Sequence, residues 1–304
     1  MAASLAPEAR GARETAAPGA DQAFQRLLAP MSATQVSERV RLGPKYRDAA
    51  IAFAHGDPQR ASELFIEALD DHPDHRIVLY DLAAALAEAG RTREAQSVYI
   101  KLAQLDPGDW QPYYEMSQVL WLDGLRDRAL KALEEGLERH PRSGYLMAQW
   151  GVFLAKLGHP RQALDKLYQA LQLDSFDDAG LYHAIANLHL ELGELDKARR
   201  GYLKGLEMNP HSAGTMLDYA EFLIDHRRDA PAALAMLETA SRTLRAGKWP
   251  RLQQAYRSYL SSRAHMLLGE REMALLAVTR ALEENDQAWL EETLETQRQA
   301  VLAV

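Results

Sequence analysis

The sequence predicts an all-α stack of helical hairpins, and two periodic residue types carry that prediction. A glycine recurs at intervals of 34, 34, 34 and 35 residues, at Gly56, Gly90, Gly124, Gly158 and Gly193. An alanine follows each glycine five residues later, at Ala61, Ala95, Ala129, Ala163 and Ala198. A fixed period of this length indicates a stacked repeat array, in which each repeat contacts only its neighbours.

With the glycine at position 15, the sequence divides into seven repeats, near 42–75, 76–109, 110–143, 144–178, 179–212, 213–254 and 255–287. Position 8 is small in every repeat and position 20 is alanine, with Ala232 and Ala274 in the last two repeats. Position 24 is large and mostly apolar, from Phe65 to Met236 and Val278. Small residues at positions 8 and 20 let two antiparallel helices approach closely, and the glycine ends the first helix in a left-handed cap. A proline at position 32 in four repeats stops the second helix.

The sixth repeat departs from this pattern. Arg227 takes the place of the glycine, and the spacing from Ala232 to Ala274 is 42 residues. We therefore expect inserted residues at 246–250, in a loop between repeats, and an uncertain register between residues 227 and 254.

The combination of small residues, a large residue and a proline resembles the tetratricopeptide repeat family over residues 42–287. Trp150, Gly151 and Leu154 come closest to the first-helix signature of that family. The resemblance implies an all-α, right-handed superhelical solenoid of about seven helix-turn-helix repeats. It also implies that the first helix of each repeat lines a concave groove, with positions 2, 5, 6, 9, 12 and 13 facing a ligand.

The two ends of the chain are expected to differ from the array. Residues 1–32 are rich in Ala, Pro, Gly and charge, which predicts a disordered leader. The array is expected over residues 33–287, beginning with a short helix at 33–42. Residues 288–304 predict an amphipathic capping helix, since an array needs a polar outer face at its end; a partner-binding or dimerising helix is the alternative.

Composition excludes several classes of function. The chain has no cysteine, which excludes disulfides, thiol catalysis and cysteine-bound zinc. Its net charge of −8 disfavours nucleic acid as a ligand, because a basic face is the usual footprint. No secretory signal and no apolar run of the roughly 18–20 residues that span a bilayer is present, so we expect a cytoplasmic protein without membrane insertion.

The sequence also lacks the motifs of catalysis. It contains no phosphate-binding glycine loop, no G-x-S-x-G and no H-E-x-x-H. His72 and His75 flank a turn without a third metal ligand in the sequence nearby. We therefore expect no catalytic residue, no metal and no cofactor.

The candidate binding residues lie at the groove positions that the resemblance assigns. The first three repeats place a tyrosine at position 5, and neighbouring positions add further aromatic and amide side chains: Tyr46, Tyr80, Tyr114, Gln118, Trp121, Tyr145 and Gln149. Large aromatic side chains with a polar end suit protein recognition. The alternative is that these tyrosines pack between helices and only their hydroxyls are exposed.

Polar residues follow in the later repeats. The candidates are His183, Asn187, Asp218, Glu221 and Asp225. The three acids are spaced three and four residues apart and share one helix face, which would suit a basic partner segment; an ordinary solvated face is the alternative. The basic clamp with which some members of the family bind C-terminal carboxylates is absent, since its sites hold Tyr46, Ala50, Asp81, Gln111 and Glu115.

Two functions fit these observations. The first is a non-enzymatic adaptor or scaffold that binds a peptide or helical segment of another protein in the groove. The second is an assembly factor or structural subunit that self-associates, or holds subunits of a larger complex, through its convex face or ends. Substitutions in the groove should abolish binding in the first case and spare it in the second. The sequence does not predict the partner or the oligomeric state.

Overall fold

The computed structural model describes residue 24 and residues 27–173, 179–245 and 251–303, and this part of the chain is helical throughout, without a β-strand. Sixteen α-helices are present in it: α1 (Ala33–Arg41), α2 (Gly43–Ala54), α3 (Pro58–Asp71), α4 (Arg76–Glu88), α5 (Thr92–Leu105), α6 (Gln111–Leu122), α7 (Arg126–Arg139), α8 (Gly144–Lys156), α9 (Pro160–Leu171), α10 (Ala179–Glu191), α11 (Leu195–Met208), α12 (Ala213–Phe222), α13 (Ala230–Arg245), α14 (Arg251–Leu267), α15 (Arg271–Glu284) and α16 (Ala288–Ala303). Helices α2 to α15 form seven consecutive pairs, so the predicted all-α array of helical hairpins is confirmed.

The periodic glycines end the first helices, as the sequence predicts. Gly56 and Gly90 have φ angles of +80° and +74°, a backbone conformation that a residue without a Cβ adopts at little cost. The amide of Asp57 donates to the carbonyl of Ala52 at 3.0 Å, which closes a Schellman cap. Each hairpin thereby turns within a few residues.

Small residues pack where the two helices of a repeat approach each other. Ala49 at position 8 and Ala61 at position 20 have no exposed surface, and their counterparts in the other repeats are buried in the same way. Phe65 at position 24 is also fully buried. The core is therefore a thin seam between helices, built again in each repeat.

The chain divides into two compact parts, and each has its own core. The N-terminal half ends at Phe153 and the C-terminal half begins at Leu154. The core of the first half runs from Phe24 to Phe153. The second half contains one cluster around Tyr202, Phe222 and Leu260 and another around Leu290 and Leu294.

The sixth repeat corrects the predicted register by one residue. A π-helical turn, Leu223–Arg227, follows α12 and inserts an extra residue. As a result Arg228, rather than Arg227, takes the left-handed conformation, with φ of 55°. Ala233 and Leu237 are buried at positions 20 and 24, where the sequence pattern had assigned Ala232 and Met236. The predicted insertion at 246–250 lies outside the described residues.

Two residues within the predicted leader, Phe24 and Leu28, are packed against the first repeat. Phe24 and Leu28 are 6% and 2% exposed, and the ring of Phe24 packs edge-on against Tyr46 with centroids 6.3 Å apart. Burial of two large apolar side chains stabilises the packed state of this part of the chain. Residues 1–23 lie outside the described residues.

Helix α16 packs against the last hairpin. Leu290, Leu294 and Val301 are buried, and Gln297 donates from Nε2 to Ser262 Oγ of α14 at 3.3 Å. Its outer face is mostly polar, although Trp289 is 65% exposed. The helix thus has the amphipathic character that a terminal cap requires.

Candidate functional site

The N-terminal half carries stacked aromatic side chains on α6, on the residue that precedes it and on α8. Trp110 and Tyr145 stack face to face, with ring centroids 4.5 Å apart and an interplanar angle of 5°. Trp121 stacks on Phe153 at 4.1 Å and 11°. Stacked rings lose few rotamers on binding, so these side chains are rigid before any partner arrives.

The predicted candidates of these two repeats all keep part of their surface. Tyr114, Gln118 and Trp121 on α6 and Tyr145 and Gln149 on α8 are each half-buried. Tyr114 additionally meets the edge of Trp110, with centroids 5.9 Å apart. We call this set, together with Leu122, the aromatic wall.

Leu122, which is not among the predicted candidates, is the most exposed large apolar side chain in the described part of the chain. It is 85% exposed and lies at position 13 of its repeat, next to Trp121. The guanidinium of Arg126 lies 5.8 Å from the centroid of the Trp121 ring, a cation–π distance. The signal in the sequence was an apolar residue, Leu122, at position 13, which the family resemblance assigns to the ligand-facing side of the first helix.

Tyr80 is half-buried, and its hydroxyl is already engaged within the protein. It donates to Asp109 Oδ2 at 2.8 Å, and Arg76 pairs with Asp109 and, at 2.7 Å, with Asp106. Burial, followed by the hydrogen bond and the charge of Asp109, raises the pKa of Tyr80. Only the ring of Tyr80 is therefore available to a ligand without breaking an internal bond.

Tyr46, the first of the predicted binding residues, is fully buried in this structure. It has no exposed area, because Phe24 and Phe65 cover its ring, and its hydroxyl donates to Asp81 Oδ2 at 2.6 Å. Asp81 is 4% exposed. Burial raises the pKa of Asp81 to about 6, although the hydrogen bond from Tyr46 and the charge of Arg39 act in the opposite direction.

The C-terminal half brings the predicted polar candidates together around one pocket. Its volume is about 330 Å³. The residues lining it are Asn187, Leu190, Tyr202, Asp218, Glu221, Phe222, Asp225 and His226. The π-helical turn contributes Asp225 and His226, so the residue inserted into the sixth repeat also shapes this pocket.

One side of the pocket is a hydrogen-bonded cluster around Asp218. The carboxylate accepts from Asn187 Nδ2 at 3.2 Å and lies 2.6 Å from His183 Nε2. Tyr202 donates from its hydroxyl to Asn187 Oδ1 at 2.5 Å. Burial, followed by the charges of Asp218 and Glu221, raises the pKa of Tyr202. His183 contacts the pocket residue Asp218 but does not itself line the pocket.

The other side pairs two carboxylates with one cation. Tyr256 donates to Glu221 Oε2 at 2.7 Å, and Arg263 lies 3.4 Å from Glu221 Oε1 and contacts Asp225. The charge of Asp218 has no arginine or lysine partner among these contacts, so this polar surface keeps a negative character. Asp218 and Glu221 of α12 and Asp225 of the π-helical turn therefore line the same pocket.

A polar cluster outside the predicted set joins Tyr168 of the fourth repeat to His189 and Glu194 of the fifth. His189 is buried, lies 2.7 Å from the hydroxyl of Tyr168 through Nε2, and 2.6 Å from Glu194 through Nδ1. His265 and Glu270 repeat the second contact, also at 2.6 Å, at the corresponding positions of the seventh repeat. The spacing of five residues was visible in the sequence. Since both glutamates precede the second helix, the contact fixes the turn of the hairpin.

Neither a metal site nor a membrane span is apparent in the part of the chain that the structure describes. Among those residues, no group of three or more acidic or histidine side chains is arranged to hold a metal ion. None of the described helices is both long enough and apolar enough to cross a bilayer.

Comparison with curated proteins gives distant similarity. The human protein O-mannosyl-transferase TMTC3 is 20% identical over 255 residues, which are 79% of this chain and 26% of that protein. The chain thus spans about a quarter of that relative.

Two solved structures share the fold. A tetratricopeptide repeat protein of Parabacteroides merdae has a TM-score of 0.55 at 15% identity, with 92% of this chain and 99% of that chain covered. YrrB, described as a TPR protein with an unusual peptide-binding site, has a TM-score of 0.50 at 16% identity, with 65% and 97% covered. Similarity at this identity concerns the fold alone.

Family models locate the repeat in both halves of the chain. One model of the tetratricopeptide repeat matches residues 52–118, and a second matches residues 179–212. Both matches fall on the paired helices described above, and members of this family mediate protein–protein interactions. The chain is therefore a tetratricopeptide repeat protein.

Proposed function

We propose that the chain is a non-enzymatic adaptor that binds a segment of a partner protein on the aromatic wall. The observation that carries this proposal is the exposure of Leu122 beside the stacked Trp121. An exposed apolar side chain next to a rigid aromatic ring gains free energy when a partner covers it. The amides of Gln118 and Gln149 are placed to hydrogen-bond a partner's backbone.

The acidic pocket of the C-terminal half supports a second contact with the same kind of partner. Its carboxylates surround an apolar patch made by Leu190 and Phe222. A lysine or arginine combines an apolar stem with a cationic end, which matches such a surface. This contact should weaken with added salt, whereas contact with the aromatic wall should not.

The non-enzymatic role is part of the proposal. The name of the human relative refers to a transferase, but this chain matches only about a quarter of that protein. The carboxylates of the pocket are engaged by His183, Asn187, Tyr256 and Arg263 within an open repeat surface. Transfer or hydrolytic activity of the purified chain would contradict the proposal. The location of the protein in the cytoplasm stays a prediction.

Assembly through the opposite helices is the second candidate, and one observation favours it. Position 25 of the second helices carries an exposed large apolar residue in four repeats: Ile66 at 45%, Ile100 at 45%, Tyr168 at 42% and Leu203 at 41%. Two neighbouring repeats of each half therefore expose an apolar side chain at the same position, Ile66 and Ile100 in the first half and Tyr168 and Leu203 in the second.

One experiment separates the two candidates. Wild-type protein, Leu122→Glu and the matched variant Ile100→Glu are used as baits in an extract of the native cells, and captured proteins are compared by mass spectrometry. Burying a leucine contributes roughly 1.5–3 kcal/mol, so Leu122→Glu should weaken the contact at least about tenfold. A partner lost with Leu122→Glu alone supports the groove. A partner lost with Ile100→Glu alone contradicts groove binding and supports assembly through the second helices.

A further inference from the structure

The first groove position is covered by the protein's own N-terminal segment, defined as residue 24 and residues 27–41. Tyr46 at position 5 of the first repeat and Asp81 at position 6 of the second are 0% and 4% exposed. Tyr80 and Tyr114, at position 5 of the next two repeats, stay half-buried. The difference lies outside the repeats, because Phe24 packs on the ring of Tyr46 and Leu28 is buried in the same cluster.

The segment places a basic side chain against the groove carboxylate. Arg39 is 3% exposed, and its Nε has no hydrogen-bond partner. Its charge lowers the pKa of both Asp81 and Tyr46, so the guanidinium lies within electrostatic reach of these two side chains. A buried arginine beside a buried aspartate is the pairing that a basic partner residue would make at this point.

The attachment of α1 is narrow. Arg39 is the fully buried residue of α1, Gln35 and Val36 are half-buried with Val36 packed on the core, and the other residues of the helix, such as Val40 at 51%, are exposed. Ser32 and Gln35 form a capping box at the N-terminus of α1, so this end of the helix is capped by residues of the segment itself. Gly43, with φ of +81°, separates α1 from the first repeat. A helix with a local cap, few inward-facing side chains and an adjacent glycine can detach without unfolding the repeats.

We propose that the N-terminal segment is a displaceable internal ligand of the groove. The partner segment that replaces it is a short helix with one basic residue among apolar ones, the chemistry of Phe24, Leu28 and Arg39. This inference rests on the proposed groove binding and deepens it. In the resting chain the segment competes with the partner at the first two repeats.

A peptide in trans tests the inference on the full-length chain. The probe is a fluorescein-labelled synthetic peptide of residues 24–42, and binding is measured by fluorescence anisotropy. The receptor is either the wild-type chain or an opened chain carrying Phe24→Ala and Arg39→Ala, which leaves every repeat residue unchanged. A tethered segment competes at an effective concentration near the millimolar range, so the opened chain should bind the peptide at least about tenfold more tightly.

Two matched controls define the contact. Adding Asp81→Asn to the opened chain, or Arg39→Ala to the peptide, should each reduce binding, because either change removes one partner of the charge pair. Equal binding to wild-type and opened chains would overturn the inference, as would binding that is indifferent to Asp81→Asn. The assay uses no cellular partner, so its failure leaves the Leu122 experiment to judge groove binding separately.

If the opened variant does not fold, hydrogen exchange of the wild-type chain tests whether the N-terminal segment opens independently of the repeats. The amides of Ala33–Arg41 should exchange faster than those of α2 and α3, because the segment opens as an independent unit. Exchange of α1 only together with α2 and α3 would show that the segment is an integral cap, and would overturn the inference.

Discussion

The buried carboxyl of Asp81 predicts a specific dependence of stability on pH. Its pKa in the folded chain is raised to about 6 from an ordinary value of 3.8, chiefly by burial. Since the folded state holds this proton more tightly than the unfolded state, the associated stability is fully present below pH 3.8. It is lost as the pH rises through about 6. At about 1.4 kcal/mol for each pKa unit, the difference corresponds to about 3 kcal/mol.

The assay compares wild-type protein with Asp81→Asn, which keeps the shape and cannot ionise. Urea unfolding is followed by circular dichroism at fixed salt between pH 4 and pH 7.5. The stability of the wild type relative to the variant should fall by about 2 kcal/mol across this range, because part of the titration lies below pH 4, with the steepest change between pH 4 and 6. Asp123→Asn, at an exposed site of the same half, controls for the loss of one negative charge.

Two outcomes would refute the reasoning about Asp81. A difference between wild type and Asp81→Asn that is constant with pH would mean that the carboxyl is hydrated in solution. A difference that grows with pH would mean that Arg39 and Tyr46 outweigh the cost of burial. The slope is the observable, because the variant also changes hydrogen bonds in a way that does not depend on pH.

Two further predictions concern the backbone and close packing. Gly201→Ala should destabilise the chain by about 1 kcal/mol in urea unfolding, because its Cβ would lie 2.9 Å from the Cβ of Ala186. The matched change Gly214→Ala should be neutral or stabilising, since its nearest contact is 3.8 Å, and equal effects would contradict the packing argument. Arg228→Gly should raise the thermal midpoint by a few degrees, because the left-handed φ of 55° costs an arginine about 1 kcal/mol; an unchanged or lower midpoint would contradict this.

The sequence was sufficient for the repeats because their contacts are local and recur. Position 8 must be small wherever two helices meet, and Ala49, Ala83 and Ser117 are all fully buried there. The periodic glycines likewise take the left-handed backbone conformation that ends the first helix of each hairpin. A contact between neighbouring helices of one repeat restricts the residue types of that repeat, so it can be recognised in the sequence of the repeat.

Exposure at a groove position could not be predicted in the same way. Tyr46, Tyr80 and Tyr114 occupy equivalent positions, but Tyr46 alone is covered by Phe24, which lies outside the periodic pattern. The sixth repeat shows the same limit for register. Arg227 signalled an irregularity, but the π turn that displaced the cap to Arg228 depends on backbone hydrogen bonds that the sequence does not encode by period.

The two candidate surfaces should contribute differently to binding. Several polar groups among the predicted binding residues already have internal partners, such as Tyr80 with Asp109 and His183 with Asp218. A ligand that uses them must exchange one hydrogen bond for another, which yields little net free energy. Covering Leu122 breaks no internal bond and removes apolar surface from water. Affinity should therefore come mainly from the aromatic wall, while the acidic pocket selects among partners by charge.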